Sequence, residues 1–440
     1  MSDWILCVDF GTAFSKAAAA PRDAWSAFDP KQVRPLAIAG QTGRNAFLLD
    51  SAVFVDDTRV LFGAAALERA NVLSDRKRIA LRSFKTLLST SDLERALNTM
   101  AAAAIDPQRV FTMRDLLVLY LAYLNAAVDR AIAADPMLAG ASLERRYAAP
   151  AWRRGDSAGL HNEVLRLFGE ADALRATLDV STPDGVSIDD AKRAIANSRL
   201  GARPAKMGLI FEATAAAAYT SIGLKVEAPA MIVLDMGAGT TDIAVLARAG
   251  ARVEELREAQ VTINQAGDYI DRVIANLALD AARLKATDKQ SDLWWAMMRE
   301  MRDFKDSLFA EGRAVLRHNG KTIKITMKDV QRAEDFRAFE GDLLEAYEGA
   351  LETARRYAVT DGSRAIQSVA VGGGAAAPFI QAIIRTAPRG GGRVKVMPKP
   401  ATPEWAHAPE FRGNLAPVFP QLAIAIGGAL APDDMLAARA

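Results

Sequence analysis

The chain has 440 residues, too many for one hydrophobic core and enough for two domains or lobes. Half of its residues are hydrophobic and a quarter are charged, the make-up of a folded globular protein. Lys plus Arg (55) and Asp plus Glu (53) nearly cancel to a formal +2, which leaves no electrostatic footprint for nucleic acid or an acidic membrane surface.

In chain order, Ile5–Val8 is an apolar run that ends in Asp9, turns through Gly11 and Thr12, and returns as Ser15–Ala18. Thr112 to about Ala134 carries Leu116, Tyr120, Leu124, Ala127 and Val128 at helical spacing, with Thr112 and Asp115 as an N-terminal capping pair. Arg146–Pro150 predicts a strand. The polar stretch at 172–206, with Ser-Thr-Pro-Asp-Gly at 181–185, predicts an insertion, and a helix is expected over 210–222. The opening design then returns. Met231–Leu234 ends in Asp235, the turn is Gly237, Ala238, Gly239 and Thr240, and Ile243–Leu246 follows Thr241 and Asp242. Two such hairpins more than 200 residues apart predict two lobes on one plan. Beyond them, Asp268 to about Arg313 predicts helix, Lys321–Met327 a strand and Leu343–Tyr357 a helix. Ser368–Val371 predicts a buried strand that runs into Gly372, Gly373 and Gly374. A helix over Pro378–Arg385, Pro/Gly-rich loops at 388–392 and 398–420 and a last apolar helix over Leu422–Leu430 complete an α/β alternation.

A glycine-rich turn directly after a buried strand lets backbone N–H groups converge on a phosphate, because no Cβ intrudes. Asp9 and Asp235 stand where strand hands over to turn. A carboxylate there can hold a hydrated Mg2+ or orient a water toward a phosphoryl group. One Asp-x-Gly at a strand end is an ordinary turn signal; its presence in both hairpins is what points to phosphate chemistry. Neither the dinucleotide fingerprint after the first strand nor a P-loop G-x-x-x-x-G-K-[ST] is present, so bound ATP requires another scaffold. Cys7 is the one cysteine, which excludes an internal disulfide, and His161, His318 and His407 lie too far apart in sequence to suggest a zinc site. The first residues lack a basic segment followed by an apolar one, and no run of about 18 apolar residues occurs. A soluble cytoplasmic protein without a membrane span or nucleic-acid partner is therefore expected.

As an ordered set, the motifs resemble the nucleotide-binding superfamily of DnaK-type heat-shock chaperones, actins and sugar kinases, with the DnaK-type ATPase domain nearest in detail. Asp9-Phe-Gly-Thr-Ala-Phe-Ser resembles the first phosphate motif and Asp235-Met-Gly-Ala-Gly-Thr-Thr-Asp242 the second. Glu212-Ala-Thr-Ala-Ala-Ala is similar to the connecting-helix motif, and Val371-Gly-Gly-Gly to the adenosine motif. The likeness runs from Asp3 to about Leu430. It implies an α/β, two-lobed actin-like ATPase fold with duplicated ribonuclease-H-like domains around a nucleotide cleft. Lobe I would be 1–228 plus 411–440 and lobe II 229–410. The implied cofactors are ATP or ADP and Mg2+. By position, Asp9 and Asp235 would hold the metal through water, and Asp9, Glu212 and Asp235 would order the attacking water. Asp242 would assist around both, and Lys85 would set a positive charge against the γ-phosphate. Gly11, Thr12 and Ala13, with Gly237, Ala238, Gly239 and Thr240, would line the phosphates. Lys305, Gly372, Gly373 and Gly374 would take the adenosine side.

The chain departs from that family in places. Of the adenine-holding face, Arg302-Asp-Phe-Lys-Asp-Ser-Leu-Phe309 keeps Lys305 alone. Ala376 replaces an arginine that stacks on adenine, Ala213 replaces a proline, and Gln421 stands where an acid is common. Lys85 lies in a basic stretch with Arg76, Lys77, Arg78 and Arg82, which reads equally as a solvated surface, and Glu212 reads also as a helix-start acid. The sequence ends at Ala440 without the peptide-holding β-sandwich of the chaperones. The resulting expectation is a slow Mg-ATPase whose lobe closure is read by a protein partner or co-chaperone. An actin-like nucleotide-dependent filament protein and a non-hydrolysing nucleotide sensor or scaffold fit the same motifs. A small-molecule kinase fits the second phosphate motif least well.

Overall fold

In the computed structural model the opening apolar run forms β1 (Trp4–Asp9), which turns and returns as the antiparallel β2 (Phe14–Pro21), with Asp9 paired to Lys16. The structure describes residues 3–40, 45–73, 78–90, 92–150, 157–223, 228–249, 252–283, 287–360, 362, 364–388, 394–408 and 415–436. Arg76, Lys77, most of the glycine loop at 388–392 and the expected 410/411 boundary lie outside them. The chain divides into two units, Met1–Val226 with Ala401–Ala440, and Glu227–Pro400.

The first unit's main sheet has the order β3-β2-β1-β7-β9, where β3 is Arg34–Pro35, β7 Leu143–Ala149 and β9 Gly208–Phe211; β4 (Leu49–Asp50) joins β2. β1, β7 and β9 run parallel, and β1 is apolar from Trp4 to Val8 because both of its faces are covered. A smaller sheet orders β5 (Val53–Val55), β6 (Arg59–Phe62) and β8 (Val186–Ser187). Helices α1 (Gly63–Val72), α2 (Leu93–Asn98), α3 (Met113–Ala134), α4 (Ser157–Arg175), α5 (Ile188–Gly201) and α6 (Glu212–Ala218) surround them. α3 starts as its sequence dictates, since Thr112 and Asp115 form a reciprocal capping box. By length and apolarity α3 could cross a bilayer, yet Leu116 through Ala122 are all buried in the core with Val8 and Phe10. Each leucine in that run contributes about 1.5–3 kcal/mol by leaving water. The polar 172–206 stretch contains the end of α4, β8 and α5, and α5 packs on α3 and α4.

Where one helix was expected over 210–222, the chain instead ends β9 at Phe211, forms the short α6, and passes into a π-helical turn at Tyr219–Gly223. A four-residue apolar run does not distinguish a buried strand from a helix start, and pairing with β7 decides it. The last helix of the chain, Phe419–Leu430, lies against β1, β2 and α6. Its two glycines allow this approach: a Cβ on Gly427 would sit 1.8 Å from Ala215 O, and one on Gly428 2.3 Å from Cys7 Sγ. Fully buried Arg146 on β7 ties down the helix end, donating to Ala431 O and to Asp433 Oδ1 at 2.5 Å each.

The second unit repeats the plan. Its main sheet has the order β12-β11-β10-β16-β17, with β10 at Ala230–Met236, β11 at Thr241–Ala249, β12 at Arg252–Glu255, β16 at Ala365–Val371 and β17 at Lys395–Lys399. As in the first unit, an antiparallel hairpin (β10–β11) stands beside two parallel strands. β13 (Val261–Ile263) adds to β11. α7 (Gly267–Ala282) and α8 (Thr287–Glu311) lead to a two-stranded ribbon, β14 (Arg313–His318) with β15 (Lys321–Thr326). α9 (Met327–Arg332), α10 (Glu334–Thr360) and α11 (Pro378–Ile383) complete the unit, and the Phe419–Leu430 helix is then α12. β14 alternates Ala314 and Leu316 inward against exposed neighbours, a period-2 pattern that replaces the helical reading at Arg313. α10 begins well before Leu343 because Phe336 and Phe339 already belong to its buried stripe.

Candidate functional site

The residues singled out from the sequence fall into two groups, one in each unit. In the first, β1 delivers Asp9 to the mouth of the turn, where it is 2 % exposed. Lys16 Nζ, opposite it on β2, donates to Asp9 Oδ2 at 2.6 Å. Lys85 Nζ, from the helical turn at 84–89, lies 3.9 Å from Asp9 Oδ1 and is hydrogen-bonded to Glu212 at the start of α6. Burial acts to lower the Lys85 pKa, but Glu212 and then Asp9 outweigh it and hold the ammonium well above its ordinary value. Asp9, Lys85 and Glu212 are therefore brought together, joined by Lys16, to which the motifs gave no role. Hairpin register is the signal for Lys16: a turn centred on Thr12 and Ala13 sets residue 16 across from residue 9.

Gly11, Thr12 and Ala13 form the turn itself. A Cβ on Gly11 would lie 2.1 Å from Phe14 O and 2.9 Å from Lys16 Nζ, so only glycine fits. The turn is braced from beneath: Ser51 Oγ donates to Gly11 O at 2.8 Å and Ser51 N to Ala13 O at 2.9 Å. Ser15, Ser51 and Tyr120 share hydroxyl hydrogen bonds of 2.9–3.3 Å under it. Burial pushes the Cys7 thiol up, with Asp9 adding to the effect, so this cysteine is a neutral core group and no nucleophile. Burial likewise raises Tyr147, whose hydroxyl has no hydrogen-bond partner among the described residues.

In the second unit Asp235, one residue before the end of β10, lies directly opposite Asp242 on β11, which places two carboxylates on one face of the hairpin. Asp242 accepts from Thr240 Oγ1 at 3.1 Å and Thr262 Oγ1 at 2.5 Å. Gly237 N donates to Thr240 O at 3.0 Å to close the turn of Gly237, Ala238, Gly239 and Thr240. The start of α7 backs this turn, with Asp268 N donating to Ala238 O at 2.8 Å. Lys305 on α8 reaches the same place, 2.6 Å from Asp271 Oδ1 and 3.4 Å from Gly267 O. Gly372 has φ +84°, and a Cβ there would lie 2.2 Å from Asp235 Oδ1. A Cβ on Gly374 would lie 2.5 Å from Met236 Sδ, whereas one on Gly373 would meet open space. Asp235, Asp242, Lys305 and Gly372–Gly374 thus converge around one turn. Ala376 is exposed and Phe304 and Leu308 are buried in the core, and Lys305 is a polar group that α8 brings to the turn.

Among the described residues no three acidic, histidine or cysteine side chains converge to hold a bare metal ion. A pair of facing carboxylates beside a glycine turn fits a cation that keeps its own waters, as Mg2+ does.

Two α/β units on one strand order, each with an aspartate-glycine hairpin, define the two-lobed actin-like ATPase fold. Consistent with this, the MreB/Mbl protein family profile matches residues 162–388, more than half of the chain, which belongs to that family. The match takes in Glu212, the second turn, Lys305 and Gly372–Gly374, and begins after Asp9, Lys16 and Lys85. No curated protein matches the chain. The superfamily resemblance read from the motifs therefore stands, while its narrower assignment to DnaK-type chaperones gives way to MreB/Mbl.

Proposed function

We propose that the chain is an actin-like, nucleotide-dependent filament protein that binds Mg-ATP through its two glycine turns and hydrolyses it slowly. The observation that carries this reading is the repeated register. In each unit an aspartate at or next to the end of the hairpin's first strand faces the residue seven positions on, at Asp9–Lys16 and Asp235–Asp242. Membership of the MreB/Mbl family supports self-assembly in place of a chaperone cycle with a co-chaperone.

In the first unit, Gly11, Thr12 and Ala13 offer N–H and hydroxyl donors to phosphate oxygens. Lys16 and Lys85 supply positive charge once each exchanges its carboxylate for phosphate, and Glu212, released from Lys85, orients the attacking water. In the second unit, Gly237, Ala238, Gly239 and Thr240 offer the corresponding donors. Asp235 and Asp242 order water around the metal, and Lys305 with Gly372, Gly373 and Gly374 forms the adenosine side. Asp9 in the first unit and Asp235 in the second are the carboxylates that would hold Mg2+ through its waters, and the ion would supply charge neutralisation at the phosphates. Such a site works by positioning and charge stabilisation, without a covalent intermediate.

Light scattering and pelleting with ATP, ADP or no nucleotide, beside single-turnover hydrolysis of radiolabelled ATP with and without Mg2+, test the proposal. Mg-dependent conversion together with ATP-dependent pelleting is expected. ATP held without conversion or pelleting would replace it with the sensor or scaffold reading, which the ion-paired Asp9 and Glu212 favour.

A further inference from the structure

Charge is sharply segregated inside the second unit. Residues 313–332 carry six Lys and Arg against one acid, Asp329, and residues 334–352 carry seven acids against one cation, Arg337, in a chain whose formal charge is only +2. The structure sorts these groups onto outward faces. On the β14–β15 ribbon, Ala314, Leu316, Ile323 and Ile325 are buried, and the opposite face exposes Arg313, Arg317 and Lys324 around Val315, itself 52 % exposed. Among the described residues none of those three cations makes an ion pair, and Asp329 is already engaged in a capping box with Thr326. On α10, Phe336, Phe339, Leu343 and Tyr347 point into the core, so Asp342 and Glu345 stand exposed on the outer side.

The ribbon lies far from the phosphate-type turn of its own unit. Lys321 Nζ donates to Ala282 O at the end of α7, whose first turn abuts Ala238. The 16 residues of α7 set about 24 Å between the two.

We propose that the cationic ribbon face of one copy docks on the acidic outer face of α10 in the next copy. This deepens the filament reading and rests on it. The two patches differ, so the contact is head-to-tail: each copy uses both, and the series runs on as a filament wherever its rotation does not close a ring. Exposed ion pairs of this kind contribute about 0–1 kcal/mol each, so they select and orient the partner, with Val315 adding apolar contact. Salt screens them, since the Debye length is about 10 Å at 0.1 M and about 3 Å at 1 M.

The test is pelleting of full-length protein with Mg-ATP. The wild type should lose most of its pelleted fraction between low salt and about 0.5 M NaCl. Arg317→Glu with Lys324→Glu, and separately Asp342→Lys with Glu345→Lys, should each raise the critical concentration at least about tenfold while Mg-ATP binding and far-UV circular dichroism stay unchanged. Mixing the two variants in equal amounts should restore pelleting, because each then meets an opposite face on the other, and so should all four changes in one chain. Reversal variants that pellet like the wild type, or a mixture that stays dispersed while both variants bind nucleotide, would overturn this contact alone. Reversals that leave pelleting intact but abolish binding to phosphatidylglycerol vesicles would assign the ribbon to a lipid surface and overturn it too. A wild type that never pellets would remove the filament reading and this contact together.

Discussion

Lys16 Nζ lies 2.6 Å from Asp9 Oδ2, whereas the equivalent register position of the second unit sets Asp242 opposite Asp235. The two hairpins are copies in backbone and opposites in charge. In one the strand-end carboxylate is already neutralised by a lysine. In the other two carboxylates face each other, an arrangement that destabilises a strand pair unless a cation relieves it. On the proposed reading, a divalent ion would sit beside the facing carboxylates of the second hairpin, and phosphate would draw Lys16 and Lys85 off their acids in the first.

Lys16→Met should weaken Mg-ATP binding by about 10–100-fold, the range of one charge-assisted hydrogen bond of 1.5–3 kcal/mol. Titration calorimetry measures it directly. Because Asp9 is nearly fully buried, the same change should also lower the apparent melting temperature, leaving Lys85 at 3.9 Å as the remaining counter-ion. Unaltered affinity would remove Lys16 from the phosphate site.

Asp9→Ala and Asp235→Ala should each leave the circular dichroism spectrum intact and cut Mg-dependent single-turnover hydrolysis by about 100-fold or more. Normal turnover in both would refute the assignment of these two strand ends.

The paired hairpins were legible in the sequence because each combines a short apolar run, a strand-end aspartate and a glycine turn, and every one of those signals is local. α3 was equally plain from its Thr112–Asp115 capping pair and 3.6-residue periodicity. What local pattern could not supply was decided at long range. Gly208–Phe211 is a strand because β7 accepts it as a parallel neighbour. Arg313–His318 is a strand because β15 folds back on it. Lys85 meets Glu212 across 127 positions; the resemblance to a known family gave each a role at the nucleotide, and no local pattern pairs them. That resemblance located the superfamily correctly but chose the wrong branch within it, since phosphate turns are what the branches have in common.

Gly372→Ala should disable the second turn more than its size suggests. The residue sits at φ +84°, where a Cβ costs roughly 1–2 kcal/mol, and that Cβ would fall 2.2 Å from Asp235 Oδ1. A lower melting temperature together with weaker nucleotide binding is expected. Gly373→Ala, with open space around its Cβ position, should leave the melting temperature nearly unchanged and serves as the control for stability.

Acid should loosen the first unit through specific carboxylates. Burial would raise Asp129, but Arg145 and Arg175 more than reverse it and hold the group below its usual 3.8. For Glu144, burial is likewise outweighed by Arg22 and Arg146, which hold it below 4.5. A carboxylate depressed by folding contributes stability above its unfolded pKa and loses it as pH falls through the folded value. Thermal melts from pH 7 downward should therefore hold steady to about pH 4.5 and then fall. Asp129→Asn should make that acid limb shallower; an equally steep limb would assign the transition to other groups.

Arg146→Met should release the end of α12. The guanidinium is fully buried and serves Ala431 O, Gly428 O and Asp433, so methionine fills the volume but leaves buried carbonyl oxygens without a donor. Asp433 is 61 % exposed and returns to water at little cost, which leaves the carbonyls as the main loss, about 1–3 kcal/mol. In a unit of this size that corresponds to a fall of about 3–10 °C in the first melting transition. Arg146→Lys should recover only part of it, because one ammonium lacks the fork that serves helix end and carboxylate together. Since α12 presses Gly427 against α6 and Gly428 against Cys7, two residues from Asp9, a loosened end should also reach the site, seen as faster proteolytic cleavage after α12 and weaker nucleotide binding together. Cleavage that accelerates while binding holds would confine Arg146 to stability.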